Sequence, residues 1–260
     1  MKGVILAGGT GSRLSPLTIA VNKHLLPIYD KPLIYYPLST LMLAGIKEFL
    51  LITNEENIRI FKKLLGSGTQ FGISIDYTAQ PKPEGIANAL SYAEDFAAGS
   101  KIGVILGDNV FHGMGLGRQL ANNQNIYGAK VFAYKVGNPQ DYGVVRIDQA
   151  GAPLDLIEKP TEFVSDMAIT GLYFYDETVF NRIKDLKPSA RGEFEITSLN
   201  KSYLEDQKLE VELLSQGTAW LDTGSPHGLN DASNYIRVIQ ERQNSQVGDP
   251  VTVAQVLQWI

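Results

Sequence analysis

The segment Gly3 to Arg13, G-V-I-L-A-G-G-T-G-S-R, sets a short apolar strand directly against a glycine-rich turn that ends on an arginine. Val4, Ile5 and Leu6 read as a strand buried on both faces. Gly8, Gly9 and Gly11 let the backbone that follows turn its amides toward an anion with no Cβ in the way, and Arg13 adds a fixed cation. Taken alone, the same segment reads equally well as an ordinary strand-to-loop corner. Two familiar nucleotide loops do not fit it. A dinucleotide fingerprint needs a third glycine where Leu14 stands, and Pro16 follows soon after; a Walker loop needs a glycine followed by Lys and then Ser or Thr, which occurs nowhere in the chain.

Other chemistry-bearing residues fall at strand ends. Lys23, in N-K-H-L-L-P-I-Y-D-K-P, reads either as a solvated surface lysine or as a second cation facing the anion held by Arg13. Asp108 and Asn109 end the apolar run I-G-V-I-L-G-D-N, and Asp222 ends A-W-L-D-T-G. Mg²⁺ is typically held by one or two carboxylates together with substrate phosphates, so Asp108 and Asp222 suit a shared ion if the fold brings them together; otherwise each caps a turn. Glu158-Lys159-Pro160 closes L-D-L-I-E-K-P, with a carboxylate suited to sugar hydroxyls and an ammonium suited to a sugar phosphate, and Gly143 sits in Y-G-V-V. Arg191, in P-S-A-R-G-E-F-E-I-T, has two readings: a phosphate ligand, or an ion-pair partner of Glu193 or Glu195. Gln80, at a strand end, carries a donor and an acceptor that match the edge of a pyrimidine base, and Gly85 opens the following helix; the bland alternative is a loop glutamine beside prolines.

The elements that must position these residues alternate through the first half: strand 3–7, helix 32–44, strand 49–53, helix 55–65, strand 73–78, helix 84–97, strand 102–107. Repeated βαβ predicts a mostly parallel sheet flanked by helices, with ligands at the carboxyl ends of the strands. From about residue 129 shorter strands take over, followed by helices near 176–186, 194–206 and 226–243, the last opened by Ser225-Pro226. The expectation is one domain, 1–260, with a nucleotide-binding part of about 1–128 and a β-rich, sugar-binding and C-terminal part of about 129–260. A net charge of −5 argues against a nucleic-acid polymer as partner but leaves room for local cations around a small phosphate ligand. With no cysteine there is no thiol chemistry and no disulfide, which fits a cytoplasmic protein. Nowhere do about 18 apolar residues run together, so no membrane partner is expected.

In this order, and across nearly the whole chain, G-G-T-G-S-R-L, N-K-H-L-L-P-I-Y-D-K-P-L-I-Y-Y-P-L-S, L-G-D-N-V-F, Y-G-V-V, E-K-P, T-G-L-Y-F-Y-D, R-G-E-F-E-I-T and W-L-D-T-G resemble the sugar-1-phosphate nucleotidylyltransferases, most closely their thymidylyl-transferring members. The resemblance implies a Rossmann-like mixed sheet and a reaction of dTTP with glucose 1-phosphate that gives dTDP-glucose and pyrophosphate, feeding dTDP-rhamnose and related deoxysugars. It implies Mg²⁺ on Asp108 and Asp222, and a homo-oligomer, a tetramer in the family. It gives Gly8, Gly11, Ser12, Arg13, Lys23, Gln80 and Gly85 to the nucleotide. Asn109, Gly143, Glu158, Lys159, Ile169 and Arg191 go to the sugar phosphate, with Arg13, Lys23 and Lys159 as the catalytic cations. Uridylyl- and cytidylyltransferases share the fold, and the Gln80 amide can rotate to suit another pyrimidine. A non-catalytic nucleotide-sugar-binding subunit would also share it, although Arg13, Lys23, Asp108, Lys159 and Asp222 are all intact here. His24 stands where many members carry glutamine. Long members continue past the position of Ile260 into helical sequence that helps form a feedback site, so the resemblance does not carry feedback by dTDP-rhamnose to this chain.

Overall fold

The computed structural model describes residues 1–260. Its first half is built as the alternation predicts: β1 (Lys2–Leu6), a small hairpin of β2 (Pro27–Ile28) and β3 (Lys31–Pro32), α1 (Tyr35–Leu43), β4 (Glu48–Thr53), α2 (Glu55–Leu65), β5 (Ser74–Ala79), α3 (Ile86–Ser91), α4 (Glu94–Ala97) and β6 (Ile102–Leu106). The single helix expected over 84–97 is two short ones. Ser91 Oγ donates to the Asn88 carbonyl, and Tyr92 N and Ala93 N reach back to Ala89 O and Leu90 O, so the chain tightens and breaks there.

The second half comprises β7 (Asn109–His112), α5 (Leu116–Ala121), β8 (Ala129–Lys135), β9 (Gly143–Ile147), β10 (Pro153–Glu158), β11 (Met167–Tyr175), α6 (Val179–Asp185), α7 (Ile196–Glu205), β12 (Leu209–Leu213), β13 (Ala219–Asp222), α8 (Pro226–Gln243) and α9 (Pro250–Val256). Ser225 caps α8 by accepting from Gly228 N at 3.1 Å, with Pro226 at the first helical position, as the Ser-Pro pair predicts.

The central sheet is nine-stranded, in the order β10-β9-β11-β6-β1-β4-β5, with β8 joined to β11 and β12 to β8. β5, β4, β1 and β6 run parallel, whereas β11 pairs antiparallel with β6, β8 and β9. The sheet is therefore mixed, with its four-stranded parallel part in the first half and one further parallel pair, β8 with β12, in the second. Alternate residues of the central strands enter opposite cores: Ile5, Phe49 and Leu51 pack with α1 and α2 residues such as Leu41 and Phe61, while Val4, Leu50 and Ile52 pack with Leu90, Val179 and Leu199 of α3, α6 and α7. β1 lies between β4 and β6, the point at which consecutive parallel connections part to opposite sides. In open α/β sheets a crevice forms beyond the strand ends at such a point.

Candidate active site

Beyond the carboxyl ends of β1 and β6 lies a cleft with two joined lobes. The first, of about 300 Å³, is lined by Gly8, Gly9, Lys23, His24, Gln80 and Gly85. Arg13, Asn109, Gly143, Ile169, Trp220 and Asp222 line the second, of about 250 Å³. Asp108, Glu158 and Lys159 border both lobes.

Local geometry explains several of these positions. A Cβ on Gly8 would lie 2.7 Å from Gln80 Oε1, so only glycine lets the nearly buried glutamine amide rest against the loop. Gly85 has φ 107° and ψ 167°, a region open in practice only to glycine, and a Cβ there would stand 2.5 Å from Phe194 O. Phe194 N donates to Glu84 O at 2.8 Å, and Ala87 N donates to Phe194 O at 3.1 Å, so the Gly85 corner is stitched to the segment that carries Arg191.

Asn109 organises the junction. Its Oδ1 accepts from Trp220 Nε1 at 2.6 Å and from Gly171 N at 3.0 Å, and its Nδ2 donates to Asp108 Oδ1 at 3.1 Å. Gly171 lies where the register of β11 shifts between Ile169 and Tyr173, which frees its amide for the side chain. The β7–β13 ladder sets Asp222 opposite Asn109. Asp222 also forms the Asx turn that its sequence suggests, accepting from Gly224 N at 3.0 Å.

Charge is distributed unevenly across this junction. Burial would raise the carboxyl of Asp108, but the Lys23 ammonium, paired with its Oδ2, holds it well below the usual carboxylate range. Asp222 goes the other way, raised first by burial and next by the negative charge of Asp108. Arg13 Nη2 packs against Gly224, 2.6 Å from where a Cβ would sit, and its charge offsets part of that rise. His24 is pulled down to about 3 by burial and then by Lys23. Its backbone N and Nδ1 both meet Asn22 Oδ1, at 2.9 and 2.7 Å, which assigns the ring proton to Nδ1 and leaves Nε2 a bare acceptor.

Glu158 and Lys159 would diverge if strand alternation continued. Lys159 instead takes φ +42°, in the left-handed region, with its N–H donating to Tyr142 O at 3.0 Å, and both residues border both lobes. Glu158 Oε2 accepts from Thr197 Oγ1 at 2.6 Å. Arg191, on the rim of the first lobe, is ion-paired with Glu195 at 2.8 Å and Glu158 at 3.3 Å, which matches the pairing reading of that residue in this state of the protein.

Arg13 and Lys23, expected on one anion, line different lobes. Gly11, at φ +65°, and the exposed Ser12 line neither; they shape the short helical turn that carries Arg13 toward Asp222. The structure also brings in residues that motif reading left without a role: Tyr142, whose ring lies 5.1 Å from that of Trp220, and Tyr173, Thr197 and Asn200. Thr197 and Asn200 stand three apart on the buried face of α7, and that polar spacing in an apolar stripe was a readable signal.

Comparison with known proteins agrees with this architecture. A family model described as nucleotidyl transferase matches residues 2–238. The chain is 50% identical over 254 residues to the glucose-1-phosphate thymidylyltransferase of Mycolicibacterium smegmatis, covering 98% of this chain and 88% of that protein. It is 47% identical over 260 residues to that of Mycobacterium tuberculosis, covering 100% and 90%. A solved Bacillus anthracis structure, assigned as a glucose-1-phosphate thymidylyltransferase and holding sucrose, superposes with a TM-score of 0.83 at 42% identity, over 91% of this chain and 95% of that one. A UDP-glucose pyrophosphorylase bound to UDP-glucose shares the fold, with a TM-score of 0.80 at 24% identity over 91% and 98%. From family model, relatives and fold alike, the chain belongs to the nucleotidyl transferase family.

Proposed function

We propose that this protein is a glucose-1-phosphate thymidylyltransferase, joining dTTP and glucose 1-phosphate into dTDP-glucose with release of pyrophosphate. The observation that carries the reading is the two-lobed cleft whose lobes meet at Asp108, Glu158 and Lys159. One lobe takes a nucleotide, the other a sugar, and the reacting phosphates meet at the shared wall.

In the first lobe the Gly8–Gly9 backbone and Lys23 face the triphosphate, while Gln80 and the Gly85 corner face the base. In the second, Gly143, Glu158 and Ile169 face the sugar. Lys159, at the junction, orients the sugar phosphate. A phosphate oxygen of glucose 1-phosphate attacks the α-phosphorus in line; the bond from that phosphorus to the bridging oxygen breaks, and pyrophosphate leaves with the electron pair. No protein nucleophile is needed. Arg13, Lys23 and Lys159 hold the two polyanions together and offset their repulsion, which is positioning and electrostatic catalysis. Arg191 joins the sugar phosphate if it exchanges its carboxylate partners for the ligand. Asn109 acts by holding Asp108 and the Trp220 wall in place.

Asp108 and Asp222 fit a divalent metal: they are two carboxylates on one lobe whose mutual repulsion a cation would relieve. No third metal-type side chain joins them, which suits an ion that completes its shell with substrate oxygens. When bound, Mg²⁺ would supply charge neutralisation at the α-phosphate. The same reading, supported by the motif resemblance, takes the protein as a cytoplasmic homotetramer whose product enters dTDP-rhamnose and related deoxysugar synthesis. The test is incubation of the purified protein with dTTP, glucose 1-phosphate and Mg²⁺: dTDP-glucose and pyrophosphate should appear in equal amounts, and absence of either refutes the assignment.

A further inference from the structure

Asn200 is fully buried in α7, and only half of its amide has a partner. Tyr175 Oη donates to Asn200 Oδ1 at 2.7 Å, whereas Nδ2, a two-proton donor, meets no protein acceptor. Asn200 is also among the residues that line the second lobe, with Thr197 and Tyr173. Thr197 is already engaged there, since Glu158 Oε2 accepts from its Oγ1, and Glu158 Oε1 accepts from Arg191. A buried donor left without an acceptor is costly, and few such groups persist in folded proteins without a reason. Here the reason is at hand, because the lobe that Asn200 lines is the one assigned to a polyhydroxylated ring.

We propose that Asn200 is a specificity-determining residue whose free Nδ2 donates to one ring hydroxyl of the sugar, with Tyr175 holding the amide in the donating orientation. The proposal rests on the sugar 1-phosphate reading given above. Tyr175 fits the holding role: it is fully buried, its ring is stacked between Tyr173 and Tyr203, and its hydroxyl carries no other hydrogen bond. A site built to hydrogen-bond a hydroxyl discriminates against an analogue that lacks it, because the donor is then stranded.

The experiment compares kcat/KM for glucose 1-phosphate with that for its 2-, 3-, 4- and 6-deoxy analogues, in wild type, Asn200→Ala and Asn200→Leu. Each result is a ratio within one protein, so partial misfolding of a variant cancels. In wild type one analogue should be disfavoured by about tenfold beyond the others, the worth of one buried neutral hydrogen bond. Both variants should lose that discrimination while ratios for the remaining analogues stay put. Tyr175→Phe, which frees the amide to rotate, should weaken the same ratio and no other. Selectivity unchanged within twofold for all four analogues in both Asn200 variants would overturn the proposal. Inactivity of the wild type with glucose 1-phosphate would instead be a failure of the sugar 1-phosphate reading itself.

Discussion

Asp222 stands directly across the β7–β13 ladder from Asn109, so it comes up beside Asp108, the residue before Asn109, and the two carboxylates share one buried junction. Removing one negative charge should be felt by the other. In Asp108→Asn, pyrophosphate release should fall by at least about 10²-fold, the scale of losing one preorganised electrostatic element, while the protein still folds. Asp222, raised in the wild type by burial and then by Asp108, should titrate at lower pH in the variant, as read by carbon-detected NMR of its carboxyl without metal. Near-normal activity at limiting Mg²⁺, or an unmoved Asp222, would contradict this.

Lys23 and Asp108 form a pair in which both side chains are 13% exposed. Removing one partner of such a pair strands the other, so Lys23→Met should cost about 3 kcal/mol at neutral pH. The sign with pH is definite. Asp108 is depressed in the folded protein to about 2, against about 3.9 for an unfolded aspartate, so its contribution is fully present above about pH 4 and is lost as pH falls through the folded value. Urea unfolding of both proteins in metal-free buffer should show a gap that is wide at pH 7 and narrows toward pH 3. A gap independent of pH would count against the pair.

Gly85→Ala should fail for backbone reasons. A Cβ would be driven to 2.5 Å from Phe194 O, at a φ that alanine rarely adopts, so the corner must shift and take the 191–195 segment with it. The expected result is a loss of more than about 1 kcal/mol in stability together with a raised KM for the nucleotide. Wild-type values for both would mean that the corner is looser than the contact implies.

Glu158 and Lys159 adjoin in sequence but should act on different parts of one substrate. Glu158→Gln keeps the size and some of the hydrogen bonding, so it should change the ratio of kcat/KM between glucose 1-phosphate and an epimer more than it slows glucose 1-phosphate. Lys159→Ala removes a cation that every sugar 1-phosphate would meet, so its penalty should be alike across sugars. The reverse pattern would exchange the two roles.

The parallel half of the fold was legible because short continuous apolar runs such as I-G-V-I-L and F-L-L-I-T alternate with longer helical segments, and length together with period separates them. The short strand β7 was not legible, since the Gly107-Asp108 turn before Asn109–His112 does not say which strand follows it or that its partner is the distant β13. Among site residues, Asp108, Glu158 and Gln80 were readable as polar residues at the ends of apolar runs. The separation of Arg13 from Lys23 was not, because it depends on the turn at Ser12–Leu14 aiming the guanidinium at Gly224, and glycine spacing alone carries no such direction. The placement of Lys159 likewise hangs on one left-handed φ that residue type does not announce.

The most direct measurement is initial-rate pyrophosphate release over a panel that crosses dTTP, UTP and CTP with glucose 1-phosphate and other sugar 1-phosphates. The highest kcat/KM should belong to dTTP with glucose 1-phosphate, with no release when Mg²⁺ is omitted. A higher kcat/KM for UTP or CTP with glucose 1-phosphate, or nucleotide-independent turnover, would contradict the assignment of this cleft to thymidylyl transfer.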